Sequence, residues 1–408
     1  MEKQLSFLFM MMTIYVVPVS SILHPNDFLA LQSIRKSLAD LPGSTFFSDW
    51  DFTADPCAFS GVLCSPQSTP STPRRVISLS LGDPRASSPG LSGRLSPLPL
   101  PPPLPPLLSV VPGRLVGPLP LPLLPPPPPL PRRLPQLPLR PHPPQIGQIP
   151  TLQTLDLSFN QFTGPIPQSI QTLSQLSNLI LSHNHLSGSI PNLSNSKTLL
   201  RINLQHNNLS GSLTRFTLPS ALQHLSLSSN RITGSLDRVL DRLDRISYLD
   251  LSMNRFTGTV PSCVFGFKAD TLLLQRNGFS GPVRPVRPVE AQTVDLSFNA
   301  LTGQVSEMFS TVENLYLNNN GFEGEVPGAL VDRVLTGEIK LLYLQHNYLT
   351  GIQIDPTAAI PESSSMCLMY NCMVPPVETP CPRRAGKQKV RPWKQCNEGR
   401  RRKGKKGK

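Results

Sequence analysis

What this chain lacks narrows its chemistry. After Val19 it has no apolar run of the roughly 20 residues that a membrane-spanning helix needs, and its basic C-terminus is unlike the hydrophobic tail of a lipid-anchor signal. It has no phosphate-cradling glycine loop leading a helix, no paired-cysteine metal spacing and no kinase signature set. No catalytic residue, metal or cofactor is therefore expected, and the chain is not read as an enzyme. His183, Asn184 and His185 have the look of a metal-nuclease motif, but no converging ligands accompany them. Acidic residues are almost missing from the C-terminus: Arg383 to Lys408 holds 13 Lys/Arg and one acid, Glu398. Nearly all of the formal net charge of +13 lies there, so the rest of the chain gives no nucleic-acid signal.

What is present begins with a targeting pattern. Lys3 precedes a nearly unbroken apolar stretch from Leu5 to Val19, and the small residues Ser20 and Ser21 follow. Residues 1–21 are read as a cleaved signal peptide, which leaves a secreted mature chain without a transmembrane segment. Seven cysteines suit an oxidising compartment. Cys57 and Cys64 form one group, and Cys367, Cys372, Cys381 and Cys396 another. One bridge is expected near the start and two near the end, with three connectivities open for the last four. Cys263 stands alone and is expected to be a buried thiol.

The strongest signal is a period. Leu152, Leu155, Leu157, Asn160, Phe162 and Gly164 set a frame with apolar residues at −8, −5, −3 and +2 from an asparagine and glycine at +4. The frame recurs at Asn184, Asn207, Asn230, Asn254, Asn277, Asn299, Asn320 and Asn347, each followed four residues later by glycine. A unit this short cannot bury its own apolar side, so neighbours must stack and bury it jointly. The −5 and −3 residues point inward from a strand, the asparagines align into a ladder that satisfies backbone groups at the turn, and the glycines allow a tight return.

The stretches Leu157 to Pro167 (LSFNQFTGPIP) and Leu251 to Pro261 (LSMNRFTGTVP) resemble the plant-type leucine-rich repeat. Asp27, Leu31, Ile34, Leu38, Trp50, Cys57, Gly61, Val62 and Cys64 resemble the helical N-terminal cap that precedes such repeats in plant extracellular proteins. The resemblance implies an α/β fold: a curved solenoid with a parallel concave sheet, short helical turns outside and disulfide-stapled ends. The expected layout is a cap over 22–75, a first repeat over 76–95, repeats over 151–360, a cysteine-containing C-terminal cap over 361–396 and a basic tail over 397–408.

Residues 96–150 break the pattern. Gly93 and Gly117 keep a 24-residue spacing, and Gly117 to Gly164 is 47 residues, the length of two repeats with one glycine missing. Prolines such as Pro101 to Pro103 and Pro125 to Pro129 cannot donate ladder hydrogen bonds and favour polyproline II. A proline-rich insert, degenerate repeats and a shifted reading frame with compensating changes are the three readings. The preserved length favours the repeat-derived ones.

The outward positions of each strand are assigned to the concave face, the usual binding surface of solenoids. They include Asp156, Phe159, His183, His206, Asp250, Arg276, Asp295, Phe298, Tyr316, Tyr343 and His346, with Ser158, Asn203, Ser226, Ser252, Met253 and Gln275 among them. Carboxylates and aromatic anchors in one column suit a secreted or cell-surface protein partner. By resemblance to secreted polygalacturonase inhibitors and receptor ectodomains, the expected function is protein recognition at the plant cell exterior or wall. The alternative is a structural wall protein held on acidic polysaccharide by the basic tail. Asn192 and Asn208 lie in glycosylation sequons.

Overall fold

A computed structural model describes residues 23–67, 69, 72–82, 90–94, 107–110, 113–119, 152–194, 196–213, 217–355, 357–376 and 381–397. The expected signal peptide, most of the proline-rich stretch and most of the basic tail lie outside them. Among the described residues no helix is long and apolar enough to cross a membrane.

A 13-stranded sheet runs the length of the molecule in chain order. Its strands are β1 (Val62–Cys64), β2 (Val76–Leu81), β3 (Leu107–Val110), β4 (Thr154–Asp156), β5 (Asn178–Ile180), β6 (Arg201–Asn203) and β7 (His224–Ser226). They continue as β8 (Tyr248–Asp250), β9 (Thr271–Leu273), β10 (Thr293–Asp295), β11 (Asn314–Tyr316), β12 (Leu341–Tyr343) and β13 (Ser365–Cys367). β1 pairs antiparallel with β2, and every later pair is parallel. This is the concave sheet of a solenoid.

Each strand is only three or four residues long in most turns because the chain must leave the sheet to return. The −5 and −3 residues, such as Leu155 and Leu157 or Leu249 and Leu251, are buried, as the period requires. The +2 residues form a second buried file in which Phe162, Phe256, Phe279 and Phe322 are fully enclosed. The rings of Phe256 and Phe279 stack at 6.0 Å, so a bulky aromatic in one turn is seated on that of the next. Outside, the return segments form 3-10 turns such as Gln168–Thr172 and Ser262–Gly266, and one true helix, Gly328–Leu335.

The asparagine ladder joins the turns. Asn184 Nδ2 donates to the carbonyls of Leu157 in the preceding turn (2.9 Å) and Leu181 in its own (3.1 Å), while its Oδ1 accepts the Phe162 N–H (3.0 Å). The same three bonds recur around Asn207, Asn254 and Asn347. The ladder extends one rung past the nine asparagines of the period, to Asn371, whose side chain is fully buried and bonds to Leu344, Leu368 and Leu349. Phase would have exposed this rung, since Met366 and Leu368 hold the −5 and −3 places and Met373 the +2 place.

The N-terminal end is closed by the helix Pro25–Ser37, begun by His24 and by proline at its first position, where a missing N–H is harmless. Buried Asp27 accepts from Arg75 Nε (2.8 Å), Arg75 Nη2 (3.0 Å) and the Val76 N–H (2.9 Å), tying the helix to β2. Trp50 stacks on Phe59 (5.3 Å) and donates through Nε1 to the Ser60 carbonyl (3.1 Å). Cys57–Cys64 staples this end, and Cys367–Cys381 with Cys372–Cys396 staple the other.

Two expectations need correction. The 47 residues from Gly117 to Gly164 do not supply two turns of the sheet: β3 pairs directly with β4 in the register Leu108↔Leu155, so one step of the solenoid spans them. Neighbouring strands stand only about 4.8 Å apart, which leaves no room for another between them. Cys263 is free, as expected, but half-buried rather than buried. Burial and its contact with Asp241 push its thiol up to about 11, which disfavours the reactive thiolate.

Candidate functional site

Parallel pairing in register turns sequence columns into rows of side chains. One row holds the last residue of each strand: Asp156, Ile180, Asn203, Ser226, Asp250, Leu273, Asp295, Tyr316 and Tyr343. Two residues earlier runs a row absent from the sequence assignment: Thr154, Asn178, Arg201, His224, Tyr248, Thr271, Thr293 and Asn314. The alternation of side chains along a strand was the signal for it, because −6 shares a face with −4. His224 stacks on Tyr248 at 4.4 Å. Burial first, and then the Arg201 charge, lower the His224 pKa to about 4, while burial raises the Tyr248 phenol.

Phe159, His183, His206, Arg276, Phe298 and His346, assigned from sequence to the strands, lie one turn beyond them. Each adopts a left-handed backbone, with φ of 54°, 54°, 53°, 57°, 54° and 60°. Ser229, Met253, Asn319 and Tyr370 continue the row. The aim of this row along the rim of the sheet is thus set by the turn. Phe159, His183 and His206 stack successively at 4.2 and 4.4 Å, and burial followed by the His206 charge lowers the His183 pKa. Arg276 lies over the Phe298 ring at 4.3 Å. His346 Nε2 donates to the Ala385 carbonyl (2.8 Å), which binds the rim to the C-terminal cap.

Asp250 is corrected from open surface to buried, and Ser158, Ser226 and Ser252 likewise. Ser252 donates its N–H (3.0 Å) and its hydroxyl (2.6 Å) to Asp250 Oδ1, which gives the buried carboxylate two donors. The same turn forms at Asp156 and Ser158. Asp156, Asp295, Tyr316 and Tyr343 are half-buried; Phe159, His206, Arg276 and Phe298 are exposed. Asn184 is a rung of the ladder, and among the described residues no group of three or more His, Cys, Asp or Glu side chains is placed to hold a metal. The sequon residue Asn192 is exposed, whereas Asn208 is half-buried in a short outer strand.

The fold and its ladder are those of a leucine-rich-repeat solenoid, and parts of the chain match that repeat. Residues 24–65 match the leucine-rich-repeat N-terminal domain, and residues 151–173, 221–243 and 245–267 match the leucine-rich repeat. The chain is similar to receptor like protein 22 of Arabidopsis thaliana, with 32% identity over 101 residues, 24% of this chain but 13% of that protein. Among solved structures it is similar to PEPR1–AtPEP1, with a TM-score of 0.63 and 24% identity over 85% of this chain and 45% of that one. A plant ice-binding protein matches with a TM-score of 0.53 and 22% identity, over 85% of this chain and 96% of that one. These structural likenesses show the fold, and this chain spans less than half of PEPR1 and a small part of the receptor-like protein.

Proposed function

We propose that this protein is an extracellular recognition module of plants that binds a protein or peptide on its concave face, without catalysis. The observation that carries the reading is the in-register sheet, which sets polar and aromatic side chains in parallel rows over a rigid apolar core. Such a surface offers anchors at fixed spacing. The solved PEPR1–AtPEP1 pair has this fold. Three disulfides fit the exterior of the cell, and the apolar N-terminus fits secretion. Glycosylation is proposed at Asn192, whose exposure suits it, and at Asn208.

The test is capture on the immobilised full chain from plant extracellular fluid and from microbial culture fluid. Retention of a defined protein or peptide, lost in a Tyr248→Ala/Tyr316→Ala variant that keeps its melting temperature, is the expected result. No retention by the folded chain, or retention indifferent to these changes, counts against the reading.

The basic tail favours a second reading, attachment to acidic wall polysaccharide. Tail removal must begin after Cys396, because Arg391 and Cys396 belong to the folded cap. Deleting residues 398–408 and finding binding to the isolated wall unchanged in low salt would reject it.

A further inference from the structure

The C-terminal cap carries charge of one sign on a folded scaffold. Residues 381–397 hold six Lys/Arg and no Asp or Glu. The segment is fastened to the last turn: the Tyr370 N–H donates to the Lys389 carbonyl (2.8 Å), Val390 makes a parallel bridge with Asn371, and Cys396 is bonded to Cys372. Arg391 serves this fastening, since its Nη1 donates to Gln395 Oε1 (3.0 Å) and its Nε to the Asn347 carbonyl. The other cations face water. Arg383, Lys387, Lys389 and Lys394 are exposed, and among the described residues Arg383, Lys387 and Lys394 form no ion pair.

The same segment exposes apolar groups. The chain has two tryptophans: Trp50 is buried in the N-terminal cap, whereas Trp393 is 79% exposed. Trp393 begins the helical turn 393–397, in which the Gln395 N–H donates to the Pro392 carbonyl (3.0 Å). It stands three residues before Cys396, so the indole and the disulfide share one side of that turn. Val374, two residues past the other half of the disulfide, is 73% exposed. A tryptophan left in water forgoes the roughly 150–250 Å² of burial that its ring can supply. A cap that only covered the last rung would turn this ring inward, as the N-terminal cap does with Trp50.

We propose that the folded C-terminal cap is a binding site for a uronic-acid polysaccharide, with Trp393 and Val374 as its apolar floor and Arg383, Lys387, Lys389 and Lys394 as its carboxylate contacts. The inference rests on the second reading above and moves the grip from the tail to the cap. Positive charge alone selects any polyanion. The indole narrows the choice, because a polymer must also bring a flat apolar face to use it, and a pyranose ring offers its axial C–H bonds as such a face. A uronic-acid chain carries that face and a carboxylate in every unit. An acidic peptide brings carboxylates without the face, and a neutral glycan brings the face without the charge.

The experiment is titration of the full chain, read by tryptophan fluorescence and by calorimetry, with three probes. These are polygalacturonate, its fully methyl-esterified form, which keeps the rings and loses the charge, and poly-L-glutamate, which keeps the carboxylates and loses the rings. Polygalacturonate is expected to bind about tenfold more tightly than either other probe and alone to shift the indole emission. Trp393→Ala should remove the preference over polyglutamate, and Trp393→Phe should keep most of it. Lys387→Gln/Lys394→Gln should weaken polygalacturonate binding about fivefold or more in low salt. A chain ending at Asn397 should bind both polyanions more weakly yet keep the preference. Equal binding of polygalacturonate and polyglutamate, no effect of Trp393→Ala in a chain with native melting behaviour, no saturable binding of polygalacturonate, or tighter binding to phosphatidylserine vesicles would overturn the site. The two readings fail separately. Binding lost with residues 398–408 and indifferent to Trp393→Ala leaves tail attachment without this site; binding unchanged by tail removal and lost with Trp393→Ala leaves the site without tail attachment.

Discussion

The two ends of the asparagine ladder are finished differently. At the N-terminal end Asn160 reaches into the turn before it, where its Oδ1 accepts the Leu115 N–H (3.2 Å), and that turn has Gly113 where an asparagine would stand. A Cβ on Gly113 would lie 2.6 Å from Asn160 Oδ1, so the glycine is the space the last amide needs. At the C-terminal end the last rung, Asn371, is covered by chain. The Arg391 N–H donates to the Asn371 carbonyl (2.8 Å), and Arg391 Nε donates to the Asn347 carbonyl (2.9 Å). The Arg391 guanidinium also sits over the Tyr348 and Tyr370 rings at 4.1 and 4.5 Å. Each asparagine serves the turn before it, so the ladder begins one turn after the backbone it first serves, and its last rung needs a lid.

Mutation can sharpen that contrast. The largest effect is expected inside the ladder. Asn254→Ala strips the Ile232 N–H and the Leu227 and Leu251 carbonyls of buried partners. Each such group costs about 1–3 kcal/mol, so urea unfolding should show a loss on the order of 3–5 kcal/mol. A loss below about 1 kcal/mol would mean that leucine stacking alone joins the turns.

Next come the stapled ends. Cys372–Cys396 spans 24 residues and Cys57–Cys64 only 7. Chain entropy assigns them about 3.5 and about 2.4 kcal/mol, so paired Cys→Ala changes should lower the melting temperature more at the C-terminal end. The reverse order would place greater weight on the aromatic packing around Trp50. Smaller again is Gly113→Ala, expected to cost about 1–3 kcal/mol through overpacking against Asn160. Adding Asn160→Ala should remove that clash and make the double variant less unstable than the sum of the two. Strict additivity would show that the glycine serves another purpose.

The smallest effect is a pH dependence. Folded His224 stays neutral down to about 4, whereas the unfolded imidazole titrates near 6.5. Between these values the unfolded chain binds the extra proton, so stability is retained above that window and lost as pH falls through it. A melting temperature that drops from pH 6.5 to 4.5, with a shallower drop in His224→Gln, is the expected record.

Most of the architecture was legible because the period fixes which side chain faces the core. Leu155, Leu157, Asn160 and Phe162 each have a physical duty that their spacing states. The face was less legible. Asp250 and Ser252 occupy outward phases, yet they hydrogen-bond to each other and withdraw from the surface, a short-range event that hydrophobic phase does not report. Arg201, His224 and Tyr248 stand before the inward apolar residues, where nothing but the alternation of the strand marks them as outward. The step from β3 to β4 was hidden for another reason: length suggested a further turn, but only strand pairing shows which segments are neighbours.

The unbroken register from β4 to β12 also makes the concave face a ruler. Strands recur about every 4.8 Å across the sheet, whereas a peptide laid over them as a polyproline II helix advances about 3.1 Å per residue with about three residues per turn, so that every third side chain points the same way. The two scales fall into step about every second strand and third residue, near 10 Å. A straight ligand crossing this face would address alternate turns with every third side chain. Tyr248 and Thr293 are one such pair of marks.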